Sequence, residues 1–302
     1  MNKTSKSPKA IALVAYVTAK KTLPPYSNEK SPHRFTQPQL IACLVLKEFF
    51  KTDYRGIMEI LTDSSDLQKI LELTEIPHYT TLQKASKRLT GKKTTDQLMK
   101  KMIELSIKAR IVKKTVALSA IDSTGFESHY TSAYFVKRKA KGGEAHQTTT
   151  YTRFPKVGFI ADCESYLILG GTPSWGPSPD ILHFKNVLIE TTKNIKLRTL
   201  TADAGYDAEH AHQYAREELG IKTIIPNRIG RPTTKLPSGK YRKIMATRFN
   251  KKLYGQRWQI ETINSIIKRR LNSFLRAKTY FAQMREMMFK LFTYNIMVVR
   301  LS

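Results

Sequence analysis

Residues 115–125 read TVALSAIDSTG, and this stretch decides the class of the fold. The run from Thr115 to Ile121 is mostly apolar, contains β-branched residues that favour strands, and stops at Asp122. A short apolar run bounded by turn-forming residues is typical of a buried strand. The stretch therefore predicts a strand in the protein core, with a carboxylate where that strand ends.

The sequence that follows predicts four further strands, two helices between them and a long helix after them. The segments are a strand hairpin over 157–162 and 166–171, a helix over 180–194, a strand over 197–202, a helix over 207–219 and a strand over 222–226. This order requires a mixed sheet with helices on its faces. The predicted fold class is α/β, with a five-stranded mixed sheet flanked by helices.

Three carboxylates are candidates for a shared site. Asp203 follows a predicted strand as Asp122 does, and open α/β sheets bind ligands in the crevice at their strand ends. Glu261, on a predicted helix, would complete an oxygen cage of the kind that holds two Mg²⁺ ions for in-line displacement at phosphorus. Taken singly, each aspartate could be a turn residue, and Glu261 could form a surface ion pair with Arg257.

Residues 254–270 read YGQRWQIETINSIIKRR and predict a helix with one polar face and one apolar face. At 100° per residue, the polar face keeps four residues within an arc of roughly 60°. They are Tyr254, Arg257, Glu261 and Lys268. An isolated run of this kind would be interpreted as a solvated charged face, so its meaning depends on the rest of the chain.

The charge of the chain indicates a polyanionic partner. The 302 residues carry 52 Lys and Arg against 24 Asp and Glu, a formal net charge of +28. No Asp or Glu occurs from Leu219 through Ile260, where Lys240, Arg242 and Lys243 are predicted to bind phosphates. Nucleic acid is the leading candidate partner. No apolar run approaches 18 residues, so no membrane span is predicted.

The chain divides into three predicted parts. Residues 1–31 are a basic lead-in, 32–112 form a small all-helical domain, and 113–302 form the α/β region with a short basic loop or hairpin near 228–247. Short helices that end in a basic one resemble a helix-turn-helix, although any small helical bundle gives the same pattern. Two cysteines far apart in sequence predict neither a disulfide framework nor a zinc site, which fits a reducing cytoplasm.

The spacing Tyr254-x₂-Arg257-x₃-Glu261-x₆-Lys268 resembles the Y-R-E-K signature of DDE transposases from bacterial and archaeal insertion sequences of the 4/5 type. The stretches 122–124 (DST) and 203–207 (DAGYD) are similar to the first and second aspartate motifs of that family. Residues 53–56 (DYRG) and 76–82 (IPHYTTL) look like its N-terminal DNA-binding segment, so the resemblance covers most of the chain.

This resemblance implies an RNase H-like core with catalytic Asp122, Asp203 and Glu261 holding Mg²⁺ or Mn²⁺ as two ions. It implies that Arg257 and Lys268 engage DNA phosphates and that Tyr254 supports DNA near the cut. The implied partner is double-stranded DNA, as terminal inverted repeats and target, bound by a homodimer in the nucleoid of a prokaryotic cytoplasm.

Some members carry a large β-rich insertion between the second aspartate and the glutamate and use it to handle a hairpin intermediate. Only 57 residues separate Asp203 from Glu261 here, and they already include a predicted helix and strand. Use of a hairpin intermediate is therefore left open.

Three functions agree with the sequence. The first is an active transposase that cuts and joins the ends of its own insertion sequence. The second is a catalytically inactive DNA-binding relic, and the third is a related nuclease without strand transfer. The presence of all three carboxylates with the complete Y-R-E-K set favours the first.

Overall fold

A five-stranded sheet forms the centre of the α/β region, as the sequence predicts. The computed structural model describes residues 4–129, 133–139, 146–228 and 235–299. The sheet has the order β6-β5-β2-β8-β9. Its strands are β2 (Ser119–Gly125), β5 (Phe154–Asp162), β6 (Ile168–Gly176), β8 (Thr199–Thr201) and β9 (Lys222–Ile224).

The sheet is mixed because some of its neighbouring strands are antiparallel and others are parallel. β5 lies antiparallel to both β2 and β6, whereas β8 lies parallel to β2 and β9. The β5–β6 turn is fixed by Asp162, whose carboxylate accepts hydrogen bonds from the backbone N–H of Glu164 and Ser165 at 3.2 and 2.9 Å. The predicted hairpin and the mixed five-stranded sheet are confirmed.

The prediction that one strand ends at Asp122 is wrong. The run divides into β1 (Thr115–Val116), which pairs in parallel with β7 (Lys196–Leu197), and β2, which continues beyond Asp122 to Gly125. Strand β2 is longer because β5 pairs with it along its whole length, from Ser119 opposite Asp162 to Gly125 opposite Lys156. The apolar residues end at Ile121, whereas the hydrogen-bonded pairing of β2 with β5 continues to Gly125.

A second hairpin lies between β2 and β5 and has no counterpart among the predicted elements. Strands β3 (Ala133–Lys139) and β4 (His146–Thr152) pair with each other in a separate antiparallel sheet. The sequence of β3, AYFVKRK, begins with a short apolar run but ends in three cations, and that of β4, HQTTTYT, is polar. Only the first half of one strand therefore shows the apolar pattern on which the strand prediction depends.

Within the described residues, six helices precede the sheet. They are α1 (Pro8–Lys20), α2 (Gln37–Phe49), α3 (Tyr54–Thr62), α4 (Ser65–Ile70), α5 (Tyr79–Leu89) and α6 (Lys92–Lys108). Helix α1, of 13 residues, lies within the segment predicted as a basic lead-in, and its Ile11, Ala12 and Ala15 are fully buried.

Helices also cover the sheet and complete the chain. They are α7 (Phe184–Thr192), α8 (Glu209–Gln213, continued by a π-helical turn to Glu218), α9 (Lys240–Thr247), α10 (Lys251–Tyr254), α11 (Trp258–Leu271) and α12 (Tyr280–Val298). Helix α12 is attached to the edge strand β6 by Asn295, whose Oδ1 accepts from Ile168 N at 2.9 Å and whose Nδ2 donates to Ile168 O at 2.7 Å.

The N-terminal helices share one hydrophobic core with the rest of the chain. A buried ion pair joins the two regions, because Lys290 Nζ of α12 donates to Glu48 Oε2 of α2 at 3.0 Å. The described part of this region consists of helices that pack on α12, and its division from the rest of the chain as a domain stays a prediction.

Candidate active site

Two aspartates meet at one edge of the sheet. In the parallel pair of β2 and β8, Ser119 lies opposite Leu200 and Ala120 lies opposite Thr201. Asp122 and Asp203 each stand two residues beyond the last pair, so the same register sets them side by side, about one strand spacing of 4.8 Å apart at the backbone. Parallel pairing therefore brings together two residues that are far apart in sequence.

Asp122 lies in a partly buried, negatively charged environment. Asn264 Nδ2 donates to its Oδ2 at 2.9 Å, and Ser123 N donates to its Oδ1 at 2.8 Å. Burial is the main cause that raises the pKa of Asp122 to about 6; the hydrogen bond from Ser123 N opposes it, the negative charge of Asp203 adds to it, and Arg257 opposes it with a smaller effect. The site therefore contains negative charge that a cation would neutralise.

The buried amide of Asn264 provides a second indication. Its Oδ1 is buried and has no hydrogen-bond partner within the described parts of the chain. The amide lies on α11, which packs against β2 and also carries Glu261. An unpartnered oxygen beside a carboxylate pair adds an oxygen donor of the type that Mg²⁺ and Mn²⁺ prefer.

Glu261 is paired with Arg257 rather than with the aspartates. The Arg257 guanidinium donates to Glu261 Oε1, and the Glu261 side chain is 54% exposed. Within the ranges that the structure describes, no three His, Cys, Asp or Glu side chains are close enough to hold a metal ion together. The structure thus brings Asp122 and Asp203 together and leaves Glu261 beside them, bound to an arginine.

The prediction of one continuous α-helix over 254–270 is wrong in its first turn. Tyr254 ends α10, residues 255–257 form a 3-10 turn, and α11 begins only at Trp258. Tyr254 and Arg257 still lie near each other, with the guanidinium carbon 5.9 Å from the ring centroid. Lys268 is exposed in the last turns of α11.

The structure contains a polar cluster beside Asp122 that was not predicted from the sequence. Ser123 Oγ donates to Asp180 Oδ1 at 2.5 Å, and the buried Lys156 forms an ion pair with Asp180. Burial, followed by the charge of Asp180, raises the pKa of Tyr206 well above its usual range. The signal that could have revealed the cluster is Lys156, a single cation within the apolar run FPKVGFIAD.

The second half of the predicted basic loop or hairpin near 228–247 is a helix. Residues 229–234 lie outside the described residues, and α9 begins at Lys240. The carboxylate of Glu209 caps α9 by accepting from Tyr241 N and Arg242 N, both at 3.0 Å. A carboxylate from another helix therefore caps the N-terminus of α9, and the sequence around residue 240 alone does not predict this cap.

Arg242 does not face solvent as a phosphate-binding residue would. Its Nε and Nη2 donate to the two carboxylate oxygens of Asp207 at 2.8 and 2.7 Å, and the Asp207 side chain is fully buried. The prediction that Arg242 binds DNA is therefore corrected, since this bidentate pair occupies its guanidinium. Lys240 and Lys243 are exposed on the same helix.

These features define a class of fold before any comparison is made. A mixed five-stranded sheet flanked by helices, with two aspartates at one edge and a helix carrying a glutamate beside them, is compatible with the RNase H-like fold of DDE enzymes. The family model described as the transposase DDE domain matches residues 117–296. The chain belongs to this family of transposases.

The family match has two general consequences. Its members are enzymes of the nuclease type that bind DNA and generally use divalent metal ions.

A comparison with curated proteins finds no match to the chain. In the part of the chain that the structure describes, no helix has the length and apolarity needed to cross a bilayer.

Proposed function

We propose that the protein is an active transposase that cuts and joins the ends of its own insertion sequence by metal-dependent phosphoryl transfer. The observation that carries the proposal is the parallel register of β2 and β8, which sets Asp122 beside Asp203 inside the segment matched by the transposase DDE domain. The Y-R-E-K spacing supports assignment to insertion sequences of the 4/5 type.

The residues at this edge fit a divalent cation. Burial, with a smaller contribution from the charge of Asp203, raises the pKa of Asp122, so a cation would stabilise its ionised form, and the unpartnered Oδ1 of Asn264 lies on the helix beside them. All of these donors are oxygens, which Mg²⁺ and Mn²⁺ prefer over softer ligands. When bound, two such ions supply Lewis-acid activation of a water or 3′-hydroxyl and stabilisation of the leaving oxygen.

The chain's own residues orient this site. Asp122 and Asp203 are the proposed ligands at the sheet edge, with Glu261 as the third. Asn264 holds the Asp122 carboxylate through its 2.9 Å hydrogen bond. Arg257 steadies Glu261 while it lies close enough to act electrostatically on Asp122 as well.

We assign Lys268 and Tyr254 to DNA. Along α11, Lys268 lies seven residues beyond Glu261, a rise of about 10 Å, which is too far to touch the same ions. Its exposed ammonium would instead contact a phosphate one or two nucleotides from the cut. Tyr254 lies near Arg257 at the other end, where its ring would support DNA.

A second DNA contact is proposed for the exposed cations of α9. Lys240 and Lys243 are exposed and stand in the segment without acidic residues, whereas Arg242 is excluded by its pair with Asp207. Their expected contribution is a loss of affinity for DNA as salt rises.

The proposed partners are the terminal inverted repeats of the element and a target duplex, bound by a homodimer on DNA. The proposed location is the nucleoid of a prokaryotic cytoplasm. The net charge of +28 supports a polyanionic partner of this kind.

The test is a cleavage and strand-transfer assay with DNA from the ends of the element in Mg²⁺ or Mn²⁺. The variants Asp122→Asn, Asp203→Asn and Glu261→Gln should each abolish cleavage yet retain DNA binding, because each removes a proposed metal ligand. The exposed Asp63→Asn is the matched control and should cleave normally.

Each other outcome has a definite meaning. Cleavage at the wild-type rate by Asp122→Asn or Asp203→Asn would refute the assignment of the site. Cleavage without joining would identify a nuclease that lacks strand transfer. Binding without either reaction, in the wild type, would identify a DNA-binding relic.

A further inference from the structure

The two aspartates of the candidate active site lie beyond the residues through which their strands pair. The last paired residues of β2 and β8 are Ala120 and Thr201, and Asp122 and Asp203 each stand two residues further on. Backbone hydrogen bonds between β2 and β8 therefore do not directly set the separation of the two carboxylates. A metal ion is sensitive to that separation, because Mg²⁺ binds its oxygen ligands at about 2.0 to 2.1 Å in a nearly ideal octahedron.

A chain of three polar side chains reaches the residue after Asp122 from the other face of the sheet. Ser123 Oγ donates to Asp180 Oδ1 at 2.5 Å, and the ammonium of Lys156 forms an ion pair with the same carboxylate oxygen. Lys156 of β5 lies opposite Gly125, two residues after Ser123 on β2. Because side chains alternate along a strand, Ser123 and Lys156 lie on one face of the sheet and Asp122 lies on the other.

Lys156 holds the segment that carries Asp180 against the sheet. Its Nζ also donates to Ser178 O at 3.1 Å, so the same ammonium binds the chain at Asp180 and two residues before it. Asp180 begins a 3-10 turn that ends at His183, and His183 Nε2 lies 2.9 Å from Ser178 Oγ. The turn is therefore fixed at both of its ends.

The same segment also contacts the chain after Asp203. Phe184 directly follows the turn, and its ring centroid lies 5.9 Å from that of Tyr206, with both side chains buried. Tyr206 is the last residue of a 3-10 turn that Asp203 caps by accepting from Gly205 N at 2.9 Å. The segment 180–184 therefore contacts the surroundings of both aspartates, one through a hydrogen bond and the other through ring packing.

Stability alone does not account for a buried lysine at this position. The cost of removing an ammonium and a carboxylate from water is similar to the gain from their attraction, and apolar residues of similar volume often give an equally stable protein. Lys156 lies among apolar residues of β5, and its side chain is only 11% exposed. The ion pair therefore indicates a role that an apolar pair could not fill, which is to orient a hydrogen-bond acceptor toward Ser123.

We infer that Asp180, held by Lys156, is a positioning residue of the active site. It fixes the backbone at Ser123, and the turn that it begins packs on the turn after Asp203, so that the two carboxylates keep the separation that a divalent cation requires. The inference rests on the proposed function for the role of Asp122 and Asp203 as metal ligands. It adds a cluster on the opposite face of the sheet that acts on these ligands through their neighbours in the chain.

The first measurement uses substitutions that leave the net charge unchanged, because a change in charge would itself alter the affinity for a cation. Ser123→Ala removes the hydroxyl that donates to Asp180, and the double variant Lys156→Met/Asp180→Ala removes the ion pair. Binding of Mn²⁺ to the DNA-free protein is followed by the loss of the electron paramagnetic resonance signal of the free ion. Each variant should bind Mn²⁺ about 10- to 100-fold more weakly, as is typical when groups that orient metal ligands are replaced.

Two controls accompany the titration. Ser123→Thr keeps the hydroxyl and should restore an affinity close to that of the wild type. Ser106→Ala on α6 also removes a buried serine hydroxyl, whose Oγ donates to Met102 O at 2.7 Å, and it should bind Mn²⁺ as the wild type does. Chemical denaturation verifies that each variant is folded under the conditions of the titration.

The second measurement tests whether the contacts act as one chain. Adding Ser123→Ala to the double variant should cause no further loss of affinity, because Ser123 has then already lost the acceptor that links it to Lys156. Single-turnover cleavage at saturating DNA should be slowed in the same variants, whereas their dissociation constants for DNA should be unchanged. Losses that multiply in the triple variant would refute a single chain.

The outcomes separate the positioning role from the proposed function. A wild type that binds Mn²⁺ and cleaves DNA, with an equal Mn²⁺ affinity in Ser123→Ala, would refute the positioning role alone. Lower stability of the variants in denaturation, without any loss of Mn²⁺ affinity, would also refute it and would assign the cluster to folding. A wild type that neither binds Mn²⁺ nor cleaves DNA would refute the proposed function, and the positioning role with it.

Discussion

Replacing Asp122 by asparagine should make the metal-free protein more stable at alkaline pH. Burial and the neighbouring Asp203 raise the pKa of Asp122 from an ordinary value of 3.8 to about 6. The folded protein therefore holds this proton more tightly than the unfolded chain does. Above pH 6 the carboxylate is ionised in both states, and the whole cost of holding its charge in the fold is present.

The size of the effect follows from that difference in pKa. A shift of one unit corresponds to about 1.36 kcal/mol, so the increase in the pKa of Asp122 corresponds to about 3 kcal/mol. Residual solvent access reduces this to about 2 to 3 kcal/mol. The amide introduced by Asp122→Asn has one oxygen, which can still accept from Ser123 N, and its NH₂ group can donate to the unpartnered Oδ1 of Asn264 once the Asn264 amide turns over, so most of the hydrogen bonding is retained.

The assay is chemical denaturation of Asp122→Asn and the wild type at pH 4, 6 and 8 in the presence of a chelator. We expect the variant to be more stable at pH 8 and the difference to shrink through the interval from 6 to 4. Below pH 3.8 the carboxyl is protonated in both states, so no difference should remain.

Magnesium should then reverse the order at pH 8. A bound ion stabilises the folded state by about 4.1 kcal/mol when its concentration is about 1,000 times its dissociation constant, which exceeds the cost of the buried charge, and the variant has lost a ligand for it. Asp63→Asn, at an exposed position, should follow the wild type under both conditions. A difference between Asp122→Asn and the wild type that does not change with pH would refute the electrostatic description of this site.

Three further predictions concern charges outside the aspartate pair. Asp207→Asn should lower the free energy of unfolding by about 3 kcal/mol because it breaks the pair between buried Asp207 and Arg242. The control, Lys243→Ala at an exposed position, should cost under about 0.5 kcal/mol, and equal losses in denaturation would contradict the prediction. Lys268→Ala should reduce the salt dependence of end binding by about one unit of slope and slow strand transfer, while the metal requirement of cleavage is unchanged. Burial lowers the pKa of His212 from 6.5 to about 4. Its neutral form therefore stabilises the fold above pH 6.5, and this contribution of about 3 kcal/mol is lost as the pH falls to 4. An equally steep acid transition in His212→Asn would refute this prediction.

The strands of the central sheet could be predicted because they are buried and apolar. Each of the five predicted segments overlaps a strand, and the order of elements correctly implied a mixed sheet. The hairpin of β3 and β4 was missed because its apolar residues are confined to the first half of β3, while the rest of the two strands is rich in Thr, Lys and Arg. The end of β2 was misplaced for a related reason, since backbone pairing with β5 continues after the apolar residues stop.

The aspartates of the site could be predicted from topology, and their surroundings could not. Two neighbouring parallel strands bring equivalent positions together, and Asp122 and Asp203 each stand two residues beyond the last pair. The sequence placed both at strand ends, which is correct for Asp203 and wrong for Asp122, since β2 continues to Gly125. Asp180 lies after β6 in the chain and contacts Ser123 and Lys156 only in the folded structure, so no local sequence pattern predicts these contacts. The same is true of Glu209, which starts α9 from another helix.

The environment of Glu261 explains why the three carboxylates do not meet as a cage. Asp122 and Asp203 are fixed by the sheet and by Asn264, but Glu261 is a largely exposed side chain whose partner is the arginine one turn before it. A pair of this kind at a helix surface contributes only about 0.3 to 0.5 kcal/mol. A divalent cation between two aspartates attracts a third carboxylate far more strongly, while DNA phosphates attract Arg257. In the reaction proposed above, both changes would favour exchange of the partners of Glu261, so a divalent cation and DNA would each promote the binding of the other.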